Sequence, residues 1–574
     1  MRTFLDYYLI VLLFSLESCS MGNKEKKQLS YTGAICAPAP LTTDADWYQT
    51  DKKAPLFDNL GTYFFPVTTR NDLAQKYFNQ GLILSYGFNH AEAARSFYYA
   101  TKLDPDCAMA YWGYAYVLGP NYNAGMESDN YARAYNAIQK AISLSKDVTP
   151  KEKGLIWAMS TRYSKEVPMD RSSLDQAYSD AMNRLFADYP DDPDIGTIYA
   201  ESMMNLHPWD LYEFDGTPKL WTAEIVSTLE RVIEMAPTHP GAHHFYIHAV
   251  EASSTPDRGL PSARLYDEGL VPGAGHLVHM PSHIYIRTGH YHKGTQANIN
   301  AVKMDSLYTT ACHAQGVYPL AYYPHNYHFL AATATLEGNS YWGILAAEKM
   351  SKQISLQLMQ EPVWGTLQHY YTIPYYVYVK FGKWDKILTM PDEVPSLTYP
   401  AAVRAYARGM AFLGKGDLAK ASNELAQLEM LSTDESLKEL TIWEINSTYD
   451  LVQIAKKVLA AEIMAFEKDY DKAIVTLLSA IEIEDNLNYN EPPDWFFSLR
   501  HNLGAVQIEA GKYEDAIKTY QQDLMTLPRN GWALHGMELA YNSMGATDKA
   551  AEIAGLLSEV WATADTPIKS SRIK

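Results

Sequence analysis

Apolar residues of alternating size recur at fixed intervals along the chain. Positions separated by 12, 4, 3 and 5 residues occur twice, at Gly81, Ala93, Phe97, Ala100 and Pro105 and again at Gly504, Ala516, Tyr520, Asp523 and Pro528. Two looser copies are Gly409, Gly416, Ala421 and Leu425, and Ala461, Ala473, Leu477 and Ala480. Small residues let two helices cross at a short distance, and large residues fill the space between them. The pattern predicts helix-turn-helix units that bury their remaining apolar faces by stacking in a row.

Turn residues separate the predicted helices, as in Lys415–Asp417 and Gly511–Tyr513. The pattern resembles the tetratricopeptide repeat (TPR), a helix-turn-helix unit of about 34 residues. The resemblance implies an all-α, TPR-type solenoid with a right-handed superhelix, and the chain length gives about nine to twelve helix pairs. We expect the solenoid to span residues 71–574, with a His-rich concave region at 240–330 and C-terminal repeats at 400–560. Asn/Gly/Asp-rich stretches predict inserted loops at Asn121–Asn130 and Trp209–Pro218.

The N-terminus carries a short apolar run, Tyr7–Leu16, that is followed by Leu-Glu-Ser-Cys and is too short to span a bilayer. It resembles the signal peptide and lipobox of bacterial lipoproteins. The resemblance implies a signal peptide at 1–19, lipidation of Cys19, and a chain anchored by lipid in the cell envelope, at the outer membrane on its periplasmic or surface face. Because Asp6 and Glu17 depart from the pattern, a cleaved secretory signal without lipid is the alternative. Residues 20–70 then form a polar tether and lead-in.

Charge and composition narrow the class of partner. The formal net charge of −19 would repel a phosphate backbone, so nucleic acid is excluded as a partner. The 43 Tyr and 12 Trp are suited to inter-helix packing and also to wet surfaces that stack on sugars or peptides. We therefore expect a protein, a peptide or a glycan as the ligand. Cys36, Cys107 and Cys312 lack CxxC spacing, which indicates neither a disulfide framework nor a thiolate zinc site.

Histidine is concentrated in one part of the chain, because thirteen of the seventeen lie between His207 and His328. Helical spacing places several of them on single faces: His244, His248 and Glu251 on one helix, His276, His279, His283 and Arg287 on a second, and His325 with His328 on a third. All three segments fall in the first helix of their repeat, which in TPR arrays lines the concave groove. Pro281 must lie in the first turn of its helix or kink it, which would leave His276 in the preceding loop.

Such a cluster favours zinc or another divalent metal, because neutral imidazoles and carboxylates bind these ions. The predicted ligands are His244, His248, Glu251, His279, His283, His325 and His328. Glu251 as a proton shuttle and Arg287 as an anion anchor are the catalytic candidates. Hydrogen bonding to a ligand without metal, and packing alone, are the alternatives for the histidines, and a salt bridge such as one with Glu251 is the alternative for Arg287.

A second polar concentration lies near the C-terminus. Its candidates for the ligand groove, together with Arg287, are Glu491, Asp494, Trp495, Arg500, Asn530 and Trp532. They form the far wall of the groove if the superhelix closes on itself. The alternative is an inter-repeat corner that is held by tryptophan packing.

The segments 243–253, 273–287, 325–331, 491–495 and 530–534 together resemble a group of bacterial TPR proteins that carry a His-Met-Pro-Ser-His block, here His279–His283. The resemblance implies the fold and no activity. The lipoprotein start resembles envelope proteins of gliding, polysaccharide-degrading bacteria, which suggests a role in polysaccharide utilisation. Three hypotheses follow: an envelope-anchored protein that binds a ligand in its concave groove, a metal-dependent hydrolase with its site in the histidine cluster, and a protein that stores or delivers metal.

Overall fold

The computed structural model describes residues 44–50, 52–312, 318–361 and 364–573. The predicted signal peptide, Cys19 and residues 20–43 of the predicted tether lie outside the described residues. Within the described residues, no helix is both long enough and apolar enough to cross a bilayer.

Helices make up nearly all of the regular structure. The first thirteen are α1 (Asp72–Tyr86), α2 (His90–Leu103), α3 (Ala108–Leu118), α4 (Asn130–Leu144), α5 (Pro150–Ser160), α6 (Ser172–Asp188), α7 (Pro193–Met204), α8 (Thr222–Met235), α9 (Pro240–Glu251), α10 (Leu260–Asp267), α11 (Gly275–His279), α12 (Pro281–Arg287) and α13 (Tyr291–Cys312). A π-helical turn, Tyr318–Tyr322, precedes the next helix.

The second half of the chain continues the same arrangement and adds one hairpin of strands. Its helices are α14 (Tyr323–Leu336), α15 (Ser340–Gln353), α16 (Gly365–Lys380), α17 (Trp384–Thr389), α18 (Thr398–Gly414), α19 (Leu418–Leu431), α20 (Ser436–Glu439), α21 (Thr448–Phe466), α22 (Tyr470–Glu484), α23 (Arg500–Glu509), α24 (Tyr513–Thr526), α25 (Gly531–Ser543) and α26 (Thr547–Val560). The strands β1 (Thr441–Ile442) and β2 (Asn446–Ser447) pair antiparallel.

Neighbouring helices pack in pairs along the chain. Across the described residues we count twelve pairs, with α11 and α12 forming one interrupted helix and α20 standing outside the pairs. This confirms the all-α, TPR-type solenoid and agrees with the expected number of repeats. The spacing has the predicted physical cause, because the Phe97 ring fills the place where side chains on Gly81 and Gly113 would be. Tyr520 does the same at Gly504 and Gly536 in the C-terminal copy of the pattern.

The array closes on itself, because C-terminal repeats pack against helices near the middle of the chain. Trp532 Nε1 donates to Thr335 O at 3.0 Å, and Tyr291 OH donates to Pro528 O at 2.8 Å. The sequence leaves closure of the superhelix on itself as one of two alternatives, and the structure shows this closure. Two apolar clusters occupy the two halves of the molecule, and α12 contributes to both, with Ile284 in the first and Ile286 in the second.

Candidate metal centre

The helices α9, α11, α12 and α14 position the histidines. Pro281 is the first residue of α12, where its missing N–H costs no helical hydrogen bond, and α11 ends at His279 just before it. The expectation that Pro281 lies in a first turn is confirmed. The expectation that His276 lies in a loop is wrong, because the segment before Pro281 forms its own helical turn and His276 is inside it.

Six imidazole rings form one continuous cluster in which successive neighbours have ring centroids 4.8 to 5.7 Å apart. The six are His244, His248, His276, His279, His283 and His325. Three sets of side chains in this cluster have ligand atoms that all lie within 4.8 Å of one another. They are His279, His283 and His325; His244, His248 and His276; and His248, Glu251 and His283. The predicted convergence of three helices on one hollow is thus observed.

Glu251 orients two rings at once. His248 Nδ1 lies 2.6 Å from Glu251 Oε1, and His283 Nδ1 lies 2.6 Å from Glu251 Oε2. Burial alone would raise the pKa of this carboxyl, but the charge and hydrogen bonds of His283 and His248 bring the pKa of Glu251 below its usual value. An ionised carboxylate only accepts hydrogen bonds, so each imidazole in its neutral form carries its proton on Nδ1 and has a bare Nε2.

His279 is held in the same tautomer by an amide. Its Nδ1 lies 2.7 Å from Asn298 Oδ1, and the orientation of that amide is fixed because Asn298 Nδ2 donates to Gly294 O at 2.8 Å. His279 therefore also presents a bare Nε2. This atom lies 2.9 Å from His283 Nε2, so two nitrogen lone pairs face each other at short range.

Two facing lone pairs repel unless a proton or a metal ion lies between them. Burial, reinforced by the neighbouring His283, lowers the pKa of His279 well below its usual value, which disfavours a proton on His279. A metal ion bonded to both nitrogens at about 2.0 to 2.1 Å satisfies both lone pairs. The third ring of this set, His325, lies with its centroid 5.0 Å from that of His279.

Glu251 lies on the Nδ1 side of the His248 and His283 rings, opposite their Nε2 atoms. Besides the two imidazoles, Tyr489 OH donates to Glu251 Oε2 at 3.2 Å and also contacts Glu491 Oε2 at 3.2 Å. Both carboxylate oxygens are therefore engaged, which is the geometry of a residue that orients metal ligands. The same contacts leave little capacity for the proton shuttle that the sequence suggested.

A small pocket adjoins the cluster. Its lining consists of Asn123, Trp209, His248, His283, Tyr322, His325, Trp443, Ile445 and Asn490. Asn123 and Trp209 belong to the two predicted loops, so insertions of the solenoid do reach the site. Trp443 and Ile445 follow β1 in a hairpin that sequence reasoning missed, because a two-residue strand leaves no periodic signal.

His328 does not join the cluster. Its ring stacks on Phe496 at 4.9 Å between centroids and lies 5.5 Å from His369, and it belongs to none of the three sets described above. The physical reason is helical geometry: three residues after His325, a side chain is turned about 60° around α14. We therefore correct the predicted ligand list by removing His328 and adding His276.

Tyr489 and Glu491, at the start of the polar concentration near the C-terminus, form a wall beside the histidine cluster. The Arg287 guanidinium lies 5.5 Å from the centre of the Tyr489 ring and contacts Ser253 O at 3.5 Å. Burial raises the pKa of Glu491 to about 8, against the opposing charge of Arg287. Arg287 and Glu491 thus stand in a layer behind Glu251, and neither lines the pocket.

The remaining groove candidates support the wall or lie elsewhere. Asp494 Oδ1 accepts from Asn490 at 2.7 Å, and its pKa is raised by burial to about 7. Trp495 packs on Tyr376 at 5.3 Å, which is the predicted alternative of a packing corner.

Arg500, Asn530 and Trp532 are occupied by structural contacts. Arg500 pairs with Asp485 at 2.8 Å. The Asn530 side chain caps α25 by accepting from Trp532 N at 3.0 Å, and Trp532 is fully buried. The groove prediction is therefore wrong for these three residues. Local contacts hold Arg500 and Asn530, and the closure of the superhelix buries Trp532 against Thr335.

Comparisons with known proteins support no closer assignment. No protein-family model matches the chain, and neither does any curated protein. Solved structures that are similar include a human IFIT1 dimer with m7Gppp-AAAA, with 13% identity, 86% of this chain and 92% of that chain covered, and a TM-score of 0.30. The P58(IPK) TPR domain has 12% identity, coverage of 85% and 92%, and a TM-score of 0.20; yeast Tom70 has 12% identity, coverage of 85% and 92%, and a TM-score of 0.27. At these scores the comparisons carry no argument about ligand or partner, and the site must be interpreted from its own geometry.

Proposed function

We propose that the protein is a metal-dependent hydrolase that holds a zinc-like divalent ion through His279, His283 and His325. The observation that carries the proposal is the pair of bare Nε2 atoms of His279 and His283, 2.9 Å apart in a buried site. Each ring receives its orientation from an oxygen acceptor on the opposite nitrogen, Asn298 or Glu251. This is the second-layer arrangement that metal-bound histidines use.

Three protein ligands leave a coordination position for water or substrate, as in catalytic zinc sites. His283 and His325 also line the pocket, so that position faces the space where a ligand enters. An ion of this kind lowers the pKa of bound water toward about 7 and polarises a carbonyl or phosphoryl oxygen.

A second candidate is a protein that binds a glycan or peptide without turnover. It is favoured by the composition of the pocket wall, where Trp209 and Trp443 provide flat apolar faces and Asn123 and Asn490 provide amides. Aromatic faces with a few polar groups suit the stacking of a sugar ring. In this candidate the ion, if present, only orients the ligand.

We also propose that the protein is anchored in the cell envelope through a lipid on Cys19. The support for this proposal is the N-terminal sequence alone. Expression of the full chain in a Gram-negative host with radiolabelled palmitate tests this. Wild-type protein should be labelled and Cys19→Ser should not. Equal labelling of both, or of neither, contradicts the anchor.

The metal proposal is tested by elemental analysis of protein purified without an affinity tag and incubated with Zn²⁺ near neutral pH. His279→Ala and His325→Ala should each lower the zinc content relative to wild type. His292→Ala is the matched control, since the His292 side chain is 50% exposed and pairs with Glu337 outside the cluster. Zinc content that is negligible in wild type, or identical in all four proteins, rejects the metal site.

Hydrolysis is tested separately with chromogenic nitrophenyl esters, phosphates and glycosides as probes. Activity that is lost on chelation, restored by Zn²⁺ and absent in His279→Ala supports the enzyme. If zinc binds as expected and no probe is hydrolysed, whereas oligosaccharide binding quenches tryptophan fluorescence, the binding candidate replaces it.

A further inference from the structure

The second set of three histidines lies directly beside the first. We infer that His244, His248 and His276 form a second metal site, so that the protein holds a pair of adjacent ions. This inference rests on the proposed function only for the first metal site, which lies beside the second. The second site has its own ligands. It extends the single-ion centre to a two-ion centre.

The second set consists of buried imidazoles whose nitrogens lack partners. The side chains are 0%, 2% and 1% exposed for His244, His248 and His276. His244 Nε2, His248 Nε2 and both nitrogens of His276 have no hydrogen-bond partner among the described residues. Burying such an atom without a partner destabilises the folded protein. Neutral His276 carries a proton on one of its two nitrogens, so the set offers three lone pairs. A cation is the partner that three lone pairs can share.

Fixed tautomers direct these lone pairs. His244 Nδ1 donates to Tyr86 O, and His248 Nδ1 donates to Glu251 Oε1. The bare Nε2 of each ring is therefore the available ligand atom. The ring centroids of His244 and His248 lie 4.9 Å apart, and that of His276 lies 5.1 Å from His244. The ligand atoms of the three lie within 4.8 Å of one another, which one ion can bridge after small rotations.

Phe88 encloses this set. Its ring centroid lies 4.7, 6.0 and 5.5 Å from those of His244, His248 and His276. The backbone of Phe88 has φ of 52°, a left-handed conformation that is uncommon for a bulky residue. Strained backbone of this kind clusters at functional sites, where it holds a side chain in place. Here it holds an apolar ring against three imidazoles.

The ligand set selects the class of ion. Three neutral imidazoles without a carboxylate in the set suit zinc, copper or nickel, whereas magnesium, calcium and manganese prefer oxygen ligands. The same preference holds for the first set of three histidines. Both sites therefore take ions of one class.

Glu251 couples the two sites. Its two oxygens accept from His248 of the second set and from His283 of the first, and those two rings lie 5.2 Å apart between centroids. Both rings also line the pocket. A ligand oxygen that enters the pocket therefore meets both sites, as in centres where two ions stabilise attacking and leaving oxygens.

The test is the zinc stoichiometry of the full chain, measured by elemental analysis after equilibrium dialysis against Zn²⁺. Wild type and the His292→Ala control should hold about two ions per chain, and His276→Ala and His325→Ala about one each. The double variant should hold none. Wild type saturating at one ion, lost in His325→Ala but kept in His276→Ala, overturns the second site and leaves the proposed function intact. One ion lost in His276→Ala and kept in His325→Ala rejects the first site instead.

His244→Asn provides a second variant in case His276→Ala fails to fold. Its side-chain Nδ2 takes the place of the imidazole Nδ1 and can donate to Tyr86 O, so the local hydrogen bond is retained while the ligand nitrogen Nε2 is removed. It should also fall to about one ion per chain. If it holds two, His244 is not a ligand and the proposed set is wrong.

Discussion

The histidine cluster around Glu251 differs from a second buried polar cluster in how the imidazole rings are satisfied. The second, called the C-terminal cluster, consists of Lys380, His501, Asp523 and Ser571. In the C-terminal cluster, Lys380 Nζ donates to His501 Nδ1 at 2.9 Å, and His501 Nε2 faces Asp523 Oδ2 at 3.2 Å. Lys380 also donates to Ser571 O at 2.9 Å. Both nitrogens of His501 therefore have protein partners. In the histidine cluster around Glu251, each oriented ring has an acceptor on Nδ1. Its Nε2 has no partner among the described residues in His244 and His248, and faces only another imidazole nitrogen in His279 and His283.

The difference separates a structural histidine from a ligand. Burial and clustering do not, because His501 is as buried as His283. What distinguishes them is whether the second nitrogen is already used. The C-terminal cluster should therefore contribute to stability, whereas the cluster around Glu251 should contribute to metal affinity.

Replacement of Asp523, the carboxylate of the C-terminal cluster, should have the largest effect. In Asp523→Ala, Lys380 and His501 lose the charge that faces them in a fully buried site, and breaking a buried pair costs about 3 to 5 kcal/mol. The free energy of unfolding, measured by urea denaturation, should fall by that amount while zinc content stays at the wild-type value. Asp515→Ala is the control, because Asp515 is 57% exposed on the same helix and should change stability by less than about 0.5 kcal/mol. A small loss in Asp523→Ala would mean that the cluster is not structural.

Glu251→Gln should weaken metal binding by about 10- to 100-fold, the usual result of losing a residue that orients metal ligands. A glutamine accepts with one oxygen only, so its amide group faces either His248 or His283 and forces that ring out of its tautomer. Competition with a zinc-binding dye measures the affinity. Asp494→Asn, which changes a carboxylate outside the ring contacts, is the control. Unchanged affinity in Glu251→Gln would return Glu251 to a role in stability and erase the contrast between the clusters.

The solenoid could be predicted from the sequence because the residues at each helix crossing recur at fixed intervals within one repeat. The intervals that connect Gly81 to Phe97 and Gly504 to Tyr520 are contacts within one repeat, and the structure shows those contacts. Convergence of α9, α12 and α14 follows from the repeat, since each is the first helix of its unit. Most of the metal-ligand candidates could therefore be identified from residue spacing alone.

What spacing does not contain is the break between α11 and α12 and the contacts between distant segments. His276 joins the cluster because the chain turns at Pro281 and starts a new helix, a tertiary outcome that helical periodicity does not show. Tyr489 reaches Glu251 across 238 positions of sequence because the superhelix closes. The tautomers depend on acceptors such as Asn298, which no motif marks. For the same reason, Asn530 was assigned to the groove although it caps a helix.

The pH dependence of stability should show the C-terminal cluster a second time. Burial lowers the pKa of Lys380 to about 7, against the opposing charge of Asp523. Above that pH the folded protein has released a proton that the unfolded chain retains up to its usual lysine pKa, so stability should rise with pH. The slope between pH 7 and 10 should be at most about 1.4 kcal/mol per unit. Lys380→Met should lose this slope in urea titrations, whereas Met in place of the exposed Lys349 should keep it. Equal slopes in both would mean that Lys380 stays charged.

Tyr489→Phe should have the smallest effect, and it tests whether the C-terminal wall matters to the histidine cluster. The variant keeps the ring beneath Arg287 but removes the hydroxyl that donates to Glu251 Oε2. A single hydrogen bond to a charged group contributes about 1.5 to 3 kcal/mol at most, and this one is long at 3.2 Å, so we expect a zinc affinity lowered only a few-fold. Tyr371→Phe, which removes a hydroxyl bonded to Glu393 far from the cluster, should leave the affinity unchanged. A larger loss in Tyr489→Phe than in Glu251→Gln would place the wall, and not the carboxylate, in control of ring orientation.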